Sequence, residues 1–367
     1  MIEILKKNLK LIITYFSVLF CLVISMCFST FIDAGLYGLL YTKDHIIANN
    51  KLLIHFINVG QADAVAINFP NGQVALIDAG SEYSANELLI YLRSYVLPIS
   101  NGKIDYLFYT HADYDHTGGM KSILYNYEVK NIIRPRQYAS FETLESGMDS
   151  YVKNSDSYDE TMTYVYEEVN GGANLIKAED LLTFNVGGVS LKIFYPEVSV
   201  QESNSFSYFL RVEYNDMSAL FTGDVDEESE KLLTRRHENI DCDILKVAHH
   251  GSNTSSCLDF VNAVTPQYSV ISVGKNNYGH PSQDVVNRLN SVNSQILRTD
   301  LNGNILFCID DGIKVHYNKT FYISLIKFSY LQLAWCICVV LICYGSLWVY
   351  NQHLKSSKRG DINLSNK

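Results

Sequence analysis

Positive charge is scarce in this sequence: 29 Lys and Arg stand against 39 Asp and Glu, giving a formal net charge of −10. That balance argues against broad electrostatic affinity for nucleic acid and leaves only local positive charge, such as a bound metal supplies. Paired cysteines are also missing. Five of the eight cysteines (Cys21, Cys27, Cys336, Cys338 and Cys343) fall within long apolar stretches, where they behave as small hydrophobes. The other three, Cys242, Cys257 and Cys308, show no spacing that reads as a disulfide framework or a zinc ribbon. No internal repeat recurs at a fixed period. Two stretches, residues 11–32 and 328–350, contain no charge at all. Each is long enough to cross a hydrocarbon core of about 30 Å as a helix. The first exceeds the ~7–15 apolar residues of a leader peptide, and no A-x-A-like cleavage site follows it, so a retained span is expected.

The charges flanking these stretches set an expected topology. Lys6, Lys7 and Lys10 precede the first, and Lys355, Lys358 and Arg359 follow the second. Both termini (1–10 and the tail 351–367) are then cytoplasmic, and the region between the spans faces outward. The expectation is a two-pass protein of the cell membrane, with the lipid bilayer as its first partner and an extracytoplasmic domain over 51–318.

That domain reads as α/β. LLIHFINV, DAVAINF and GQVALID are short apolar runs separated by Gly, Asn and Pro, the pattern of hairpin-connected strands. Apolar residues at helical spacing follow over 84–96, then a strand over 104–110 that runs into HADYDHTGG. Residues 137–185, rich in Ser, Tyr, Glu and Asp, read as an insertion or a loop over the site. Further strands are expected at VSLKIFYP, FSYFLRVEY, SALFTGD, CDILKVA and YSVISVG, with helices from Asp226, after His250 and from Pro281, and terminal strands near 303–317. Strand pairs alternating with helices on both sides suggest a sandwich of two sheets flanked by helices.

HADYDH packs four potential ligands into six residues at a strand end. On an extended backbone alternate residues share a side, so His111, Asp113 and Asp115 can converge, and His116 follows where the chain turns. Imidazole suits zinc, while carboxylate leans toward manganese or magnesium. Asp224 in FTGD also ends a strand, where its carboxylate either bridges two metals or caps the next helix. His249 and His250 end LKVAHHGS; adjacent side chains diverge, so at most one is a direct ligand, and His249 is the choice. Asp78 in LIDAGS orients a ligand from behind.

The ordered segments GQADA, LIDAGS, THADYDHTGG, NSFS, FTGD, KVAHHGS and VGKNNYGHPS resemble the metallo-β-lactamase superfamily, and more narrowly the hydrolase domain of ComEC-type DNA-uptake proteins, over roughly 52–310. The resemblance implies an αββα sandwich with a site for one or two divalent ions (zinc or manganese) at one edge. It implies His111 and Asp113 on one metal, Asp115, His116 and His249 on the other, and Asp224 bridging. Asp115 would also orient the attacking water. His280 would protonate a leaving group, and Asn204, Ser207, Lys246 and His250 would contact substrate. Two departures shift the expected site toward oxygen ligands: Asp113 stands where the commonest motif has His, and no His occurs between His116 and His237. Asn204 is the candidate for the vacated position.

The expected activity is metal-dependent hydrolysis of phosphodiester bonds, DNA being the substrate that the resemblance suggests. A cell-envelope phosphodiester, a small ester or lactam, and a silent scaffold are the alternatives. No many-helix channel accompanies the domain here, so transport itself is not expected, and a separate transport or envelope protein is the candidate partner.

Overall fold

The computed structural model describes residues 51–100, 102–137, 156–197, 203–236 and 238–318. The expected spans at 11–32 and 328–350 lie outside these residues. Among the described residues, no helix is long and apolar enough to cross a membrane.

Two sheets face each other. The first has eight strands in the order β15-β14-β1-β2-β3-β4-β5-β6. These are β1 Leu52–Phe56, β2 Val65–Asn68, β3 Val74–Ile77, β4 Lys103–Phe108, β5 Glu128–Arg134, β6 Asn174–Lys177, β14 Asn304–Ile309 and β15 Ile313–Asn318. The second has seven, in the order β13-β12-β11-β10-β9-β8-β7. These are β7 Thr183–Val186, β8 Val189–Phe194, β9 Phe209–Tyr214, β10 Met217–Phe221, β11 Ile244–Lys246, β12 Tyr268–Ile271 and β13 Gln295–Arg298. Hairpins build one half of each sheet and parallel pairings the other, β3 through β6 and β10 through β13. The β9–β10 hairpin turns on Asn215 and Asp216, both with positive φ, as a tight hairpin demands.

Period-two patterning divides the apolar residues into layers. Ile54 and Phe56 of β1 point between the sheets, where Phe221, Val270 and Phe307 meet them. The opposite face of the first sheet packs Ala66, Leu76 and Leu107 under helices carrying Leu88, Ile123 and Met162. The outer face of the second sheet packs Leu220, Leu245 and Ile271 under helices carrying Leu233, Phe260 and Val285. Three apolar interfaces in series make the αββα sandwich. His55 of β1 turns outward, buried between the Tyr91 hydroxyl and Asn68, each 3.0 Å away.

Part of the expected insertion is framework. The helix Asp156–Asn170 buries Tyr158, Met162 and Val165 at helical spacing against the first sheet's helical layer. β6 extends that sheet, and β7 opens the other. Residues 138–155 lie outside the described set.

Candidate metal centre

The parallel halves of both sheets bring five strand ends to one edge. Asp78 follows β3, the run Thr110–His116 follows β4, Asp224 follows β10, His249 and His250 follow β11, and Ser272 follows β12. Backbone hydrogen bonds clamp these turns together: Ala79 N–H to the His116 carbonyl (2.8 Å), Gly80 N–H to that of Asp63 (2.8 Å), and Asp63 N–H to that of Asp115 (3.1 Å). The approach is close enough to require glycine, because a Cβ on Gly119 would stand 2.1 Å from the Ala79 carbonyl oxygen.

Three buried imidazoles are each held by Nδ1 and turn Nε2 inward. Asp78 Oδ2 accepts from His116 Nδ1 at 2.8 Å, and the Ser272 carbonyl accepts from His250 Nδ1 at 2.8 Å. Thr110 donates its hydroxyl to Asp78 Oδ2 at 2.9 Å, so it can only accept from His111 Nδ1, 3.0 Å away. These partners fix the tautomers and leave Nε2 as the inward nitrogen. The Nε2 atoms of His111 and His116 are buried without a hydrogen-bond partner. His116 Nε2 lies 3.3 Å from Asp224 Oδ1, and His250 Nε2 lies 3.1 Å from Asp115 Oδ2 and 3.6 Å from Asp224 Oδ2. His111 Nε2 stands 3.7 Å from Asp113 Oδ2.

The electrostatics of the cluster call for a cation. Burial works against an imidazolium at His116, yet Asp224 and Asp78 outweigh it and hold its pKa well above the ordinary value. His250 is raised likewise, burial being overcome by Asp224, Asp63 and Asp115. Burial raises Asp224 but the charges of His116, His250 and Lys246 dominate, keeping it well below the carboxylate range. Asp115, despite burial, is drawn down to about 2 by its hydrogen bond to His250 and the charge of His116. Ionised carboxylates therefore face inward imidazole nitrogens, the donor set a divalent ion takes. Asp115, His116, Asp224 and His250 would hold one ion, with His111 and Asp113 beside them for a second.

Asp63, His116, Asp224 and His250 present ligand atoms all within 4.8 Å of one another. Asp63 joins this group from behind, however. Its carboxylate lies 3.8 Å from His116 Nδ1 and 3.7 Å from His250 Nδ1, and it pairs with Lys246 Nζ. We therefore assign Asp63 to the anchoring of Lys246, and Asp115 to the Nε2 side.

Several residues stand differently from the sequence expectation. His250, not His249, points into the cluster; His249 is 27% exposed, with Nε2 4.0 Å from Asp224 Oδ2. Strand alternation does not apply there, because both residues adopt left-handed backbone conformations (φ 50° and 52°) that swing the second ring inward. Lys246, expected as a substrate contact, is buried between Asp63 and Asp224 and donates to the Gly223 carbonyl at 2.9 Å, which makes it a charge within the cluster. Ser207 is buried too; its hydroxyl accepts from Asp224 N–H at 3.2 Å and positions that residue. Asn204 sits in the turn before Ser207, its Oδ1 buried without a hydrogen-bond partner. Asp224 is no helix cap, since Asp226 accepts from Ser229 N–H at 2.8 Å in that role. His280 stands beside His249 with ring centroids 5.6 Å apart, while Ser282 caps the following helix. Burial lowers the pKa of both these histidines. Asp63, Thr110 and Ser272 were not anticipated; for Asp63 the signal was its place in GQADA.

Residues 57–275 match the family profile described as Metallo-beta-lactamase superfamily. The chain is 30% identical over 270 residues to ComE operon protein 3 of Bacillus subtilis, covering 69% of this chain and 32% of that protein. It is 41% identical over 113 residues to Competence protein ComA of Neisseria gonorrhoeae, covering 30% and 16%. It is 26% identical over 256 residues to Recombination protein 2 of Haemophilus influenzae, covering 68% and 28%. The chain thus spans about a third or less of the length of these relatives. The profile contains every residue of the cluster from Asp63 to His250, and the chain belongs to the metallo-β-lactamase superfamily, with similarity to competence proteins over this domain.

Proposed function

We propose that this chain is a membrane-anchored, metal-dependent phosphodiesterase that cleaves DNA on the outer side of the membrane. The observation that carries the proposal is the pair of buried, inward Nε2 atoms on His116 and His250 facing the ionised carboxylates of Asp115 and Asp224, with His111 Nε2 buried without a partner beside Asp113. A divalent ion there, zinc or manganese, supplies polarisation of a phosphoryl oxygen and acidification of water. The protein's own groups do the rest. Asp115, 35% exposed and held ionised, accepts a hydrogen bond from an entering water and aims it. Asp224 is fixed by Ser207, and His116 by Asp78, so the reacting groups are oriented before substrate arrives. His249 and His280, at the open rim, offer N–H donors to the phosphodiester oxygens, His280 on the leaving-group side. The similarity to competence proteins favours DNA over a small ester. The uncharged segments 11–32 and 328–350 supply the anchor on either side of a domain over 51–318, and a separate transport or envelope protein is the expected partner.

The test is to strip the purified protein of metal, restore manganese or zinc, and assay labelled single- and double-stranded DNA beside bis-p-nitrophenyl phosphate. Metal-dependent DNA cleavage that His250→Ala abolishes supports the reading. Cleavage of the small diester alone transfers it to an envelope phosphodiester, and no turnover with any metal overturns it. Orientation is tested separately with Tyr125→Cys, at a position 86% exposed. Labelling by an impermeant thiol reagent only after cell lysis contradicts the outward domain.

A further inference from the structure

Beside the metal centre, residues 274–281 form a loop with unusual internal support. One side chain, Asn276, makes four hydrogen bonds within it. Its Nδ2 donates to the carbonyls of Gly274 (2.9 Å) and His280 (2.8 Å), and its Oδ1 accepts from Tyr278 N–H (3.0 Å) and His280 N–H (3.1 Å). Both ends of the loop are tied to the site. Gln61 Oε1 accepts from Gly274 N–H at 3.1 Å, and the Gly251 carbonyl, one residue after His250, accepts from Ser282 N–H at 2.8 Å. The loop is therefore fixed in shape and bolted to the turn that carries His249 and His250.

What this loop displays is one aromatic ring among polar neighbours. Tyr278 is 77% exposed. Its ring meets that of His280 at 5.7 Å and 33°, and His280 meets His249 at 5.6 Å. A row of rings thus leads from solvent to the carboxylate of Asp224. Lys275 is exposed on the same loop and forms no ion pair among the described residues. A second exposed ring, Tyr83, packs edge-on at 6.1 Å against Tyr114, which lies between Asp113 and Asp115 in sequence. In a chain of net charge −10, an exposed lysine without an ion pair on the same loop as a displayed aromatic is the local complement to a phosphate and its base.

We infer that the 274–281 loop is a base-stacking subsite for single-stranded nucleic acid, with Tyr278 as the platform and Lys275 on a neighbouring phosphate. Bases in a duplex are already stacked and cannot use such a platform, so the subsite selects unpaired strands. This rests on the nuclease reading of the adjacent centre, but it is read out by binding and need not await turnover. Stacking on one aromatic is sequence-tolerant, so no base preference is expected.

The experiment measures fluorescence anisotropy of a labelled thymine single strand, an abasic strand of equal length and charge, and a duplex, all with cleavage-resistant phosphorothioate linkages, with the metal-restored full chain. Tyr278→Ala should weaken binding of the thymine strand roughly ten-fold, while Tyr278→Phe keeps it, because the ring and not the hydroxyl is used. The abasic strand should bind the wild type as weakly as the thymine strand binds Tyr278→Ala. Lys275→Gln should reduce the salt dependence of binding by about one phosphate contact. Hydrolysis of bis-p-nitrophenyl phosphate reports on the centre independently. Unchanged thymine-strand binding in Tyr278→Ala, or equal binding of the abasic strand by the wild type, overturns the subsite and leaves the hydrolase reading intact. Loss of binding in Tyr278→Ala without any metal-dependent cleavage by the wild type would overturn the hydrolase and keep the subsite.

Discussion

Replacing Lys246 with Met removes a buried ammonium from between two carboxylates while keeping the aliphatic stem. Lys246 Nζ pairs with Asp63 and lies 3.5 Å from Asp224 Oδ1, all three side chains being almost fully buried. At an effective dielectric of about 20, a pair at that distance attracts by roughly 5 kcal/mol before desolvation is counted. Much of that offsets the burial of the charges, but removing one partner alone leaves the others uncompensated, at about 3–5 kcal/mol. Lys246→Met should therefore destabilise the metal-free protein by about 3–5 kcal/mol in a urea titration. Circular dichroism is the suitable probe, since Trp335 and Trp348 both lie outside the domain. The double variant Asp63→Asn/Lys246→Met should lose less than the two single losses combined, as groups in contact do. A bound divalent ion places positive charge beside Asp224 again, so the penalty of Lys246→Met should shrink when metal is present. Additive single losses, or a penalty indifferent to metal, would refute the placement of Lys246 inside the charge network.

Two further outcomes follow from the same geometry. Asp78→Asn keeps the shape but weakens the carboxylate that holds His116 Nδ1, and should lower metal affinity by about 10–100-fold in calorimetry with little loss of fold. His55, buried against Tyr91 and Asn68, has its pKa lowered by burial from 6.5 to about 4. A depressed folded-state pKa gives stability that is complete above pH 6.5 and lost as the pH falls toward 4, about 3 kcal/mol in all, and His55→Gln should flatten that window.

The layered architecture was legible because the short apolar runs LLIHF and VALI, bounded by turn residues, and the helical spacing over 84–96 are local signals. β5, EVKNIIR, was missed because charged residues at its exposed positions dilute a short apolar pattern. The helix at 156–170 was hidden by its polar composition, although Tyr158, Met162 and Val165 carry the helical stripe. At the site, HADYDH was readable because its ligands are contiguous. The choice between His249 and His250 was not, because it depends on two left-handed residues that no spacing announces. The roles of Asp63 and Lys246 were equally out of reach, since their pairing joins segments distant in sequence and appears only when the two sheets meet. What the sequence offered as a row of ligands is, in the structure, a front of Nε2 atoms and carboxylates backed by Asp78, Thr110, Asp63 and Ser272.

The central claim is that Asp115, His116, Asp224 and His250 together hold a divalent ion. Metal content and affinity, measured on the wild type, His250→Ala and His249→Ala after stripping and titration with manganese or zinc, test it most directly. The structure predicts at least one tightly held ion in the wild type, its loss in His250→Ala, and its retention in His249→Ala. Retention in His250→Ala with loss in His249→Ala would contradict the assignment, and no binding in the wild type would contradict the centre itself.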